Sequence, residues 1–223
     1  MRTLYHHPIC PFSRKVRVLL AEKKLEFEAR IENFWERRDE FVAMNPASDG
    51  PVLVENSGVI VADSYAIGEY LEELHREPAL LLTDPQSRAE VRRLVSWFDG
   101  KFFHEVTIKL TGEKLFKRLK GGPCEPDSRL IRAGYAAVHG HLDYISWLTE
   151  RRSWLAGSTF SLADISAACQ LSCLDYCGDV PWDDHPHAKD WYAKVKSRPS
   201  FRPLLADALP GMPPPRHYAD LDF

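Results

Sequence analysis

Pro51-Val52-Leu53-Val54-Glu55-Asn56-Ser57-Gly58-Val59-Ile60-Val61-Ala62-Asp63-Ser64 reads as a hairpin followed by a helix start. Two short runs rich in valine, isoleucine and leucine flank a polar turn containing glycine, the pattern of two strands tightly joined. Asp63-Ser64 then supplies side-chain oxygens where a new helix leaves its first amides unpaired, and that helix is expected to run to about residue 75. Upstream, residues 2–6 predict a strand that leads into a loop with Pro8 and Pro11. Residues 12–24 predict an amphipathic helix, since Val16, Leu19 and Leu20 recur at helical spacing. Residues 27–31 suit a second strand, and residues 33–45 a loop with a short helix carrying Phe34, Trp35 and Phe41. Strand, helix, strand, hairpin and helix in that order make a compact α/β domain over residues 1–77.

Residues 78–86, with Pro78 and Pro85, read as a linker. Everything from 87 to 208 is helical in pattern. A long helix over 90–110 is followed by a break at Gly121-Gly122-Pro123, then by helices over 127–150, 161–176, 187–197 and 201–208. The remainder, residues 209–223, is a proline-rich tail. Prolines 213–215 have fixed φ and no amide donors, so they form a stiff spacer. Beyond it come His217-Tyr218-Ala219-Asp220-Leu221-Asp222-Phe223. A frayed end is usually small and polar; this one predicts a peptide that docks, either on its own body or on a partner.

The 223 residues carry a net charge of −3, with 44% hydrophobic and 27% charged residues. That composition fits a soluble globular chain and argues against a nucleic-acid binder, since no basic stripe with interleaved aromatics is present. The run Arg14-Lys15-Val16-Arg17 fits one exposed helix face. No apolar run approaches the ~20 residues that span a bilayer, and the N-terminus lacks the apolar stretch of a signal peptide. Direct membrane insertion is therefore not expected, and a cytoplasmic location is. Cys169, Cys173 and Cys177 lie four apart on one helix side; they read as small buried side chains and not as metal ligands.

Several of these signals together resemble the glutathione S-transferase superfamily. Cys10-Pro11-Phe12-Ser13-Arg14-Lys15-Val16-Arg17 stands at the strand-to-helix junction where that family keeps its thiol-activating residue. Pro51 opens a strand at the position of the family's cis-proline. Asp63-Ser64 matches the acidic-Ser pair that holds the glutamyl end of glutathione. Phe160-Ser161-Leu162-Ala163-Asp164 resembles the buried capping box of the all-helical domain. The resemblance implies a thioredoxin-like α/β N-terminal domain followed by an all-α C-terminal domain. It also implies a glutathione-like pocket at Cys10, Phe12, Ser13, Pro51, Val52, Asp63 and Ser64.

In an enzymatic reading, a helix N-terminus stabilises an anion, so Cys10 would be a reactive thiolate or Ser13 would donate to the glutathione thiolate. The loop before Pro51 opposes this. The family commonly has Asn-Pro-x-Gly-Lys-Val-Pro-Val-Leu there, whereas this chain reads Asn45-Pro46-Ala47-Ser48-Asp49-Gly50-Pro51-Val52-Leu53. Asp49 takes the lysine position, which turns attraction for a ligand carboxylate into repulsion. At ~4 Å and an effective dielectric near 20, each such interaction is on the order of 4 kcal/mol before screening. Gly50 in place of valine is expected to loosen the loop. The site reads as weakened or lost, with no required cofactor; glutathione enters only in the alternative reading.

Two features exceed an enzyme's needs. Trp35 lies among charges in Glu32-Asn33-Phe34-Trp35-Glu36-Arg37-Arg38-Asp39, as an interface anchor would, or else packs back on its own domain or on a second subunit. The ending on such a body resembles a group of alphaproteobacterial GST-like cell-division proteins that bind the tubulin-like FtsZ. That resemblance implies a homodimer at the division site, binding FtsZ and other division proteins. Its partner-binding residues here would be Trp35, Tyr218, Asp220, Leu221, Asp222 and Phe223. A stress-response adaptor resembling the stringent starvation proteins is a third reading, supported by fold alone.

Overall fold

The computed structural model describes residues 1–121 and 125–221. Its contacts divide into two units, Met1–Leu80 and Leu81–Phe223. In the first, β1 (Arg2–His6), α1 (Pro11–Glu22), β2 (Phe27–Ile31), α2 (Asp39–Met44), β3 (Val52–Val54), β4 (Ile60–Ala62) and α3 (Ser64–Leu74) follow one another. The sheet order is β2-β1-β3-β4: β1 runs parallel to β2, and β3 is antiparallel to both β1 and β4. Only a crossover helix can join parallel neighbours, and α1 supplies it. Leu4, Val16, Leu19, Leu20, Leu53, Ile67 and Leu71 are fully buried.

The end of α1 is tied to the end of α3 by a buried ion pair. Lys23 Nζ lies 2.6 Å from Glu72 Oε1 and also donates to the His75 and Pro78 carbonyls. Glu72 in turn accepts from the Leu80 amide. A pair this enclosed is tolerable because nearly every remaining donor finds an acceptor. The basic run in α1 departs from expectation: Arg14 and Lys15 are buried, not on an exposed face. Arg14 Nε donates to the Pro8 carbonyl at 2.7 Å and so braces the loop before α1.

The second unit begins with α4 (Pro85–Ser96), five residues earlier than the sequence pattern suggests. Pro85 stands at N1 and Asp84 accepts from the Ser87 amide at 2.9 Å, a start signal that the proline-rich context disguised. The rod continues without a break through wider π-type turns over Trp97–Thr107, α5 (Ile108–Thr111), a second wide stretch over Gly112–Phe116, and α6 (Lys117–Leu119). Gly121, at φ +70°, lies just past its end; Gly122, Pro123 and Cys124 lie outside the described residues. Then come α7 (Ser128–Thr149), α8 (Leu162–Tyr176) and α9 (Pro186–Lys196). The expected last helix is a 3-10 turn over Arg202–Ala206.

Every residue of α8 is buried, so it forms the centre of this unit. Its capping box is closed: Asp164 accepts from the Ser161 amide at 3.0 Å, and Ser161 Oγ accepts from the Ala163 amide at 3.3 Å. Asp164 also accepts from the Leu155 amide and Trp191 Nε1, binding the preceding loop and α9 to the same carboxylate. Cys169 and Cys173 are buried along α8, whereas Cys177 sits at its C-cap and is partly exposed. Among the described residues no three metal-type side chains converge, and no helix is long and apolar enough to cross a membrane.

Candidate functional site

The first candidate site lies where β1 hands over to α1. Cys10 is the N-cap of α1, and its amide donates to the His7 carbonyl at 3.0 Å. Its thiol lies 4.0 Å from the Gly50 carbonyl. Burial pushes the Cys10 thiol above its ordinary range, outweighing hydrogen bonds from Ser13 and Phe12 and the charge of Arg14. The resting group is thus a neutral thiol, and the helix N-terminus does not make it the thiolate the enzymatic reading required. Ser13 is fully buried, and its Oγ accepts from the His7 amide at 3.2 Å. That bond closes the β1–α1 loop, so Ser13 serves as a local brace. Phe12, next to it, is half-buried.

The opposite wall comes from the loop before β3. The Gly50–Pro51 peptide is cis. Val52 is buried in β3 opposite Tyr5 and Ala62. The Pro51 carbonyl accepts from the Asp63 amide at 3.2 Å. Asp63 has φ +78°, a conformation a side chain adopts only under constraint. Its Oδ1 accepts from the amides of Tyr65 (2.7 Å) and Ala66 (3.1 Å), capping α3, while Ser64 is buried in the first turn. The acidic-Ser pair is therefore in place and already engaged by the helix.

Contrary to the expectation of a loosened loop, residues 45–50 are held tightly. Asn45 Nδ2 donates to the Asp49 carbonyl (2.9 Å) and to its carboxylate (2.7 Å), while Asn45 Oδ1 accepts from the Ala47 amide. Ser48 Oγ donates to the Phe34 carbonyl at 3.1 Å. The Phe34 ring stacks on Phe41 and covers Gly50; a Cβ added at Gly50 would lie 1.9 Å from Phe34 Cζ. The valine space of the family pattern is thus filled from another segment. Local reading could not see this, because Phe34 and Gly50 are sixteen positions apart. Asp49 itself is exposed, with its carboxylate held by Asn45. Trp35, in the turn over Phe34–Glu36, packs edge-on against His7 with centroids 5.2 Å apart and keeps part of its surface exposed.

The second candidate site is the tail. Tyr176 Oη accepts from the Leu209 amide (2.7 Å) and donates to the Met212 carbonyl (2.8 Å), clamping the start of the tail to the end of α8. After the three prolines, Arg216–Ala219 forms a 3-10 turn. Tyr218 is fully buried there. Its hydroxyl donates to the Leu204 carbonyl at 3.1 Å, and its ring meets Tyr176 edge-on at 5.2 Å. Lys196 Nζ donates to the His217 carbonyl, and His217 Nε2 lies 3.2 Å from Asp175 Oδ1.

Asp175 is the hub of this clasp. It also accepts from Trp182 Nε1 at 3.0 Å and faces Lys196 Nζ at 3.7 Å. Burial pushes the Asp175 carboxyl up and the Lys196 ammonium down. Such a pair holds its charges only while both partners stay. Tyr218 is accordingly an anchor in its own unit, correcting its assignment as a partner contact: a ring with no exposed surface offers none. Asp220 is exposed and Leu221 partly so, whereas Asp222 and Phe223 lie outside the described residues. The hub itself escaped sequence reading, since Asp175, Lys196 and His217 come from three separate segments.

An α/β unit with a cis-proline before β3 and a capped α3, followed by helices around a buried capping box, defines a class. Residues 4–79 match the family description "Glutathione S-transferase, N-terminal domain" and residues 132–199 "Glutathione S-transferase, C-terminal domain". The chain belongs to the glutathione S-transferase family. Within that family it is similar along its whole length to FtsZ-localized protein A of Caulobacter vibrioides (strain NA1000 / CB15N). Identity is 49% over 225 residues, covering 100% of this chain and 98% of that protein. The solved structure of FzlA from C. crescentus superposes with a TM-score of 0.95, covering 100% of this chain and 99% of that one. A crystal structure named as a glutathione S-transferase, from Rhodospirillum rubrum F11, superposes at 0.97 with 61% identity over the full length of both chains.

Proposed function

We propose that this chain is a non-catalytic, GST-fold cell-division protein that associates with FtsZ filaments, promotes their curvature and regulates constriction. The observation that carries this reading is the end-to-end similarity to FtsZ-localized protein A, tail included. The pocket chemistry supports it. The residues present do not suit glutathione: Asp49 sets an anion where a ligand carboxylate would lie, Cys10 is a neutral thiol, and Ser13 is spent on the loop. No cofactor is required.

The working form is a cytoplasmic homodimer at the division site. Two copies of a weak site on one polymer raise the effective concentration of the second contact into the millimolar range. Trp35 and the residues Asp220, Leu221, Asp222 and Phe223 are the contact residues of this reading. Co-sedimentation with polymerised FtsZ tests the reading, with the intact chain compared with one ending at Ala219, which keeps the Tyr218 anchor. The intact chain should pellet with FtsZ and the shortened chain should pellet less. If the intact chain stays in the supernatant, the reading fails.

A second reading, glutathione transfer at Cys10 or Ser13, is favoured by the name of the Rhodospirillum rubrum structure. Calorimetric titration with glutathione decides it, since micromolar or tighter binding would replace the first reading with this one.

A further inference from the structure

The proline segment of the tail has a second face. Within the helical unit it borders a cavity of about 670 Å³, also lined by Leu115, Ile131 and Met212 and by the cations Lys114 and Arg118. That volume lies in the range of sites that enclose a ligand's surface. The surrounding charge is one-sided. Between Lys109 and Arg132 the sequence carries seven cations and three carboxylates, on a chain whose net charge is −3.

Of the three carboxylates, Glu125 is exposed beside Pro126 and the other two are already paired. Glu113 pairs with Lys117, Asp127 with Arg129, and Lys114 takes Asp179 from beyond α8. The side chains of Arg118, Lys120 and Arg132 make no ion pair among the described residues. Arg118 and Lys120 are exposed beside the cavity mouth in sequence, and Arg118 lines it.

The wall adds a second constraint. Prolines offer no amide hydrogens, so the 213–215 segment can only accept. The Met212 and Pro215 carbonyls are taken by the Tyr176 hydroxyl and the Tyr218 amide, while those of Pro213 and Pro214 accept nothing among the described residues. An occupant must therefore bring its own donors to this wall, its own negative charge to the unpaired Arg118, and apolar groups to Leu115, Ile131 and Met212. An extended acidic peptide with an apolar side chain meets all three demands. Its amides supply donors for the Pro213 and Pro214 carbonyls, a carboxylate meets Arg118, and its anchor fills the apolar lining.

We infer that the cavity lined by the proline segment and by Leu115, Arg118, Pro126 and Ile131 is a docking groove for an acidic linear peptide of a partner protein. It is a surface separate from Trp35 and from the chain's last residues, and it stands whether or not the chain binds FtsZ.

The test is selection of displayed random nonapeptides on the intact protein, followed by fluorescence anisotropy with the best synthetic peptide. The selected peptides should be rich in Asp or Glu around a large apolar residue. Affinity should fall at least tenfold in Arg118→Glu and with rising salt, and should hold in Arg151→Glu, which lies outside the groove. Cys177, which also lines the cavity, should be alkylated several-fold more slowly with peptide bound, as read by mass spectrometry. Three results would overturn the proposal: enrichment of basic or uncharged peptides, equal affinity for Arg118→Glu, or unchanged Cys177 alkylation. Recovery of no peptide, with phosphatidylglycerol vesicles binding in an Arg118-dependent way, would assign the basic corner to a membrane surface instead and sink the peptide groove.

Discussion

The loop over residues 45–51 and the tail over residues 209–221 both carry the chain's departures from the family pattern, and they use hydrogen bonds in opposite ways. In the loop, polar side chains are spent on the loop itself: Asn45 on Asp49 and Ala47, Ser48 on Phe34. It leads into cis-Pro51 and β3, and Asp63 beyond the hairpin is engaged by the first amides of α3. In the tail, polar side chains reach out from the domain, from Tyr176, Lys196 and Asp175, to hold a segment with little structure of its own. The loop keeps its shape through its own bonds, whereas the tail keeps its place through partners that the domain supplies.

The largest effect should come from removing the anchor of the tail. Tyr218→Ala leaves a cavity under a fully buried ring and should lower stability by about 3–5 kcal/mol, read as a shift in the urea midpoint. A chain ending at Pro215 should suffer similarly, whereas one ending at Ala219 should melt close to the intact protein. Equal midpoints for all three would mean the tail is not part of the unit's core.

Next in size is the loop. Gly50→Val drives a side chain into Phe34 and should cost about 1–3 kcal/mol. Adding Phe34→Ala should recover part of the loss, a coupling that a double-mutant cycle measures directly. Additive losses would show that Phe34 does not fill the valine space.

A smaller change is expected from Asp49→Lys, which restores the family's charge. Glutathione affinity measured by calorimetry should rise about tenfold or more; no rise would place the defect elsewhere in the pocket. The subtlest test concerns Cys10. Since burial raises its folded pKa, the reactive thiolate is scarce at pH 7.5, and alkylation should keep accelerating as pH rises through 9. A plateau below pH 8 would restore the activated-thiolate reading.

Much of the fold was legible from short-range pattern. The short apolar runs of β3 and β4 around a glycine-containing turn, the 3.6-residue spacing in α1 and the Ser161–Asp164 box each act over a few residues, so local order exposes them. The start of α4 was misread because Pro85 looks like linker and serves as N1 once Asp84 caps it. Arg14 and Lys15 were misread because charge alone predicts exposure, whereas a backbone carbonyl held within reach makes burial of Arg14 tolerable. Pro51 and Val52 lie at the start of β3 and Asp63 and Ser64 at the start of α3, the elements that local pattern predicts there. Cys10 and Ser13 lie at the start of α1 in the same way, but burial and the His7 amide decide their chemistry.

By itself, then, the sequence determined the order of an α/β part before a helical part, the hairpin over residues 51–61, and a stiff proline spacer before an acidic, apolar end. These follow from backbone geometry and side-chain period, which operate within one element. Tertiary structure alone decided that Phe34 closes over Gly50, that Tyr218 is an anchor, and that Asp175, Lys196 and His217 share one charge hub. Each of these joins residues far apart in the chain. Whether a group is buried, paired or open depends on the neighbours that folding brings to it.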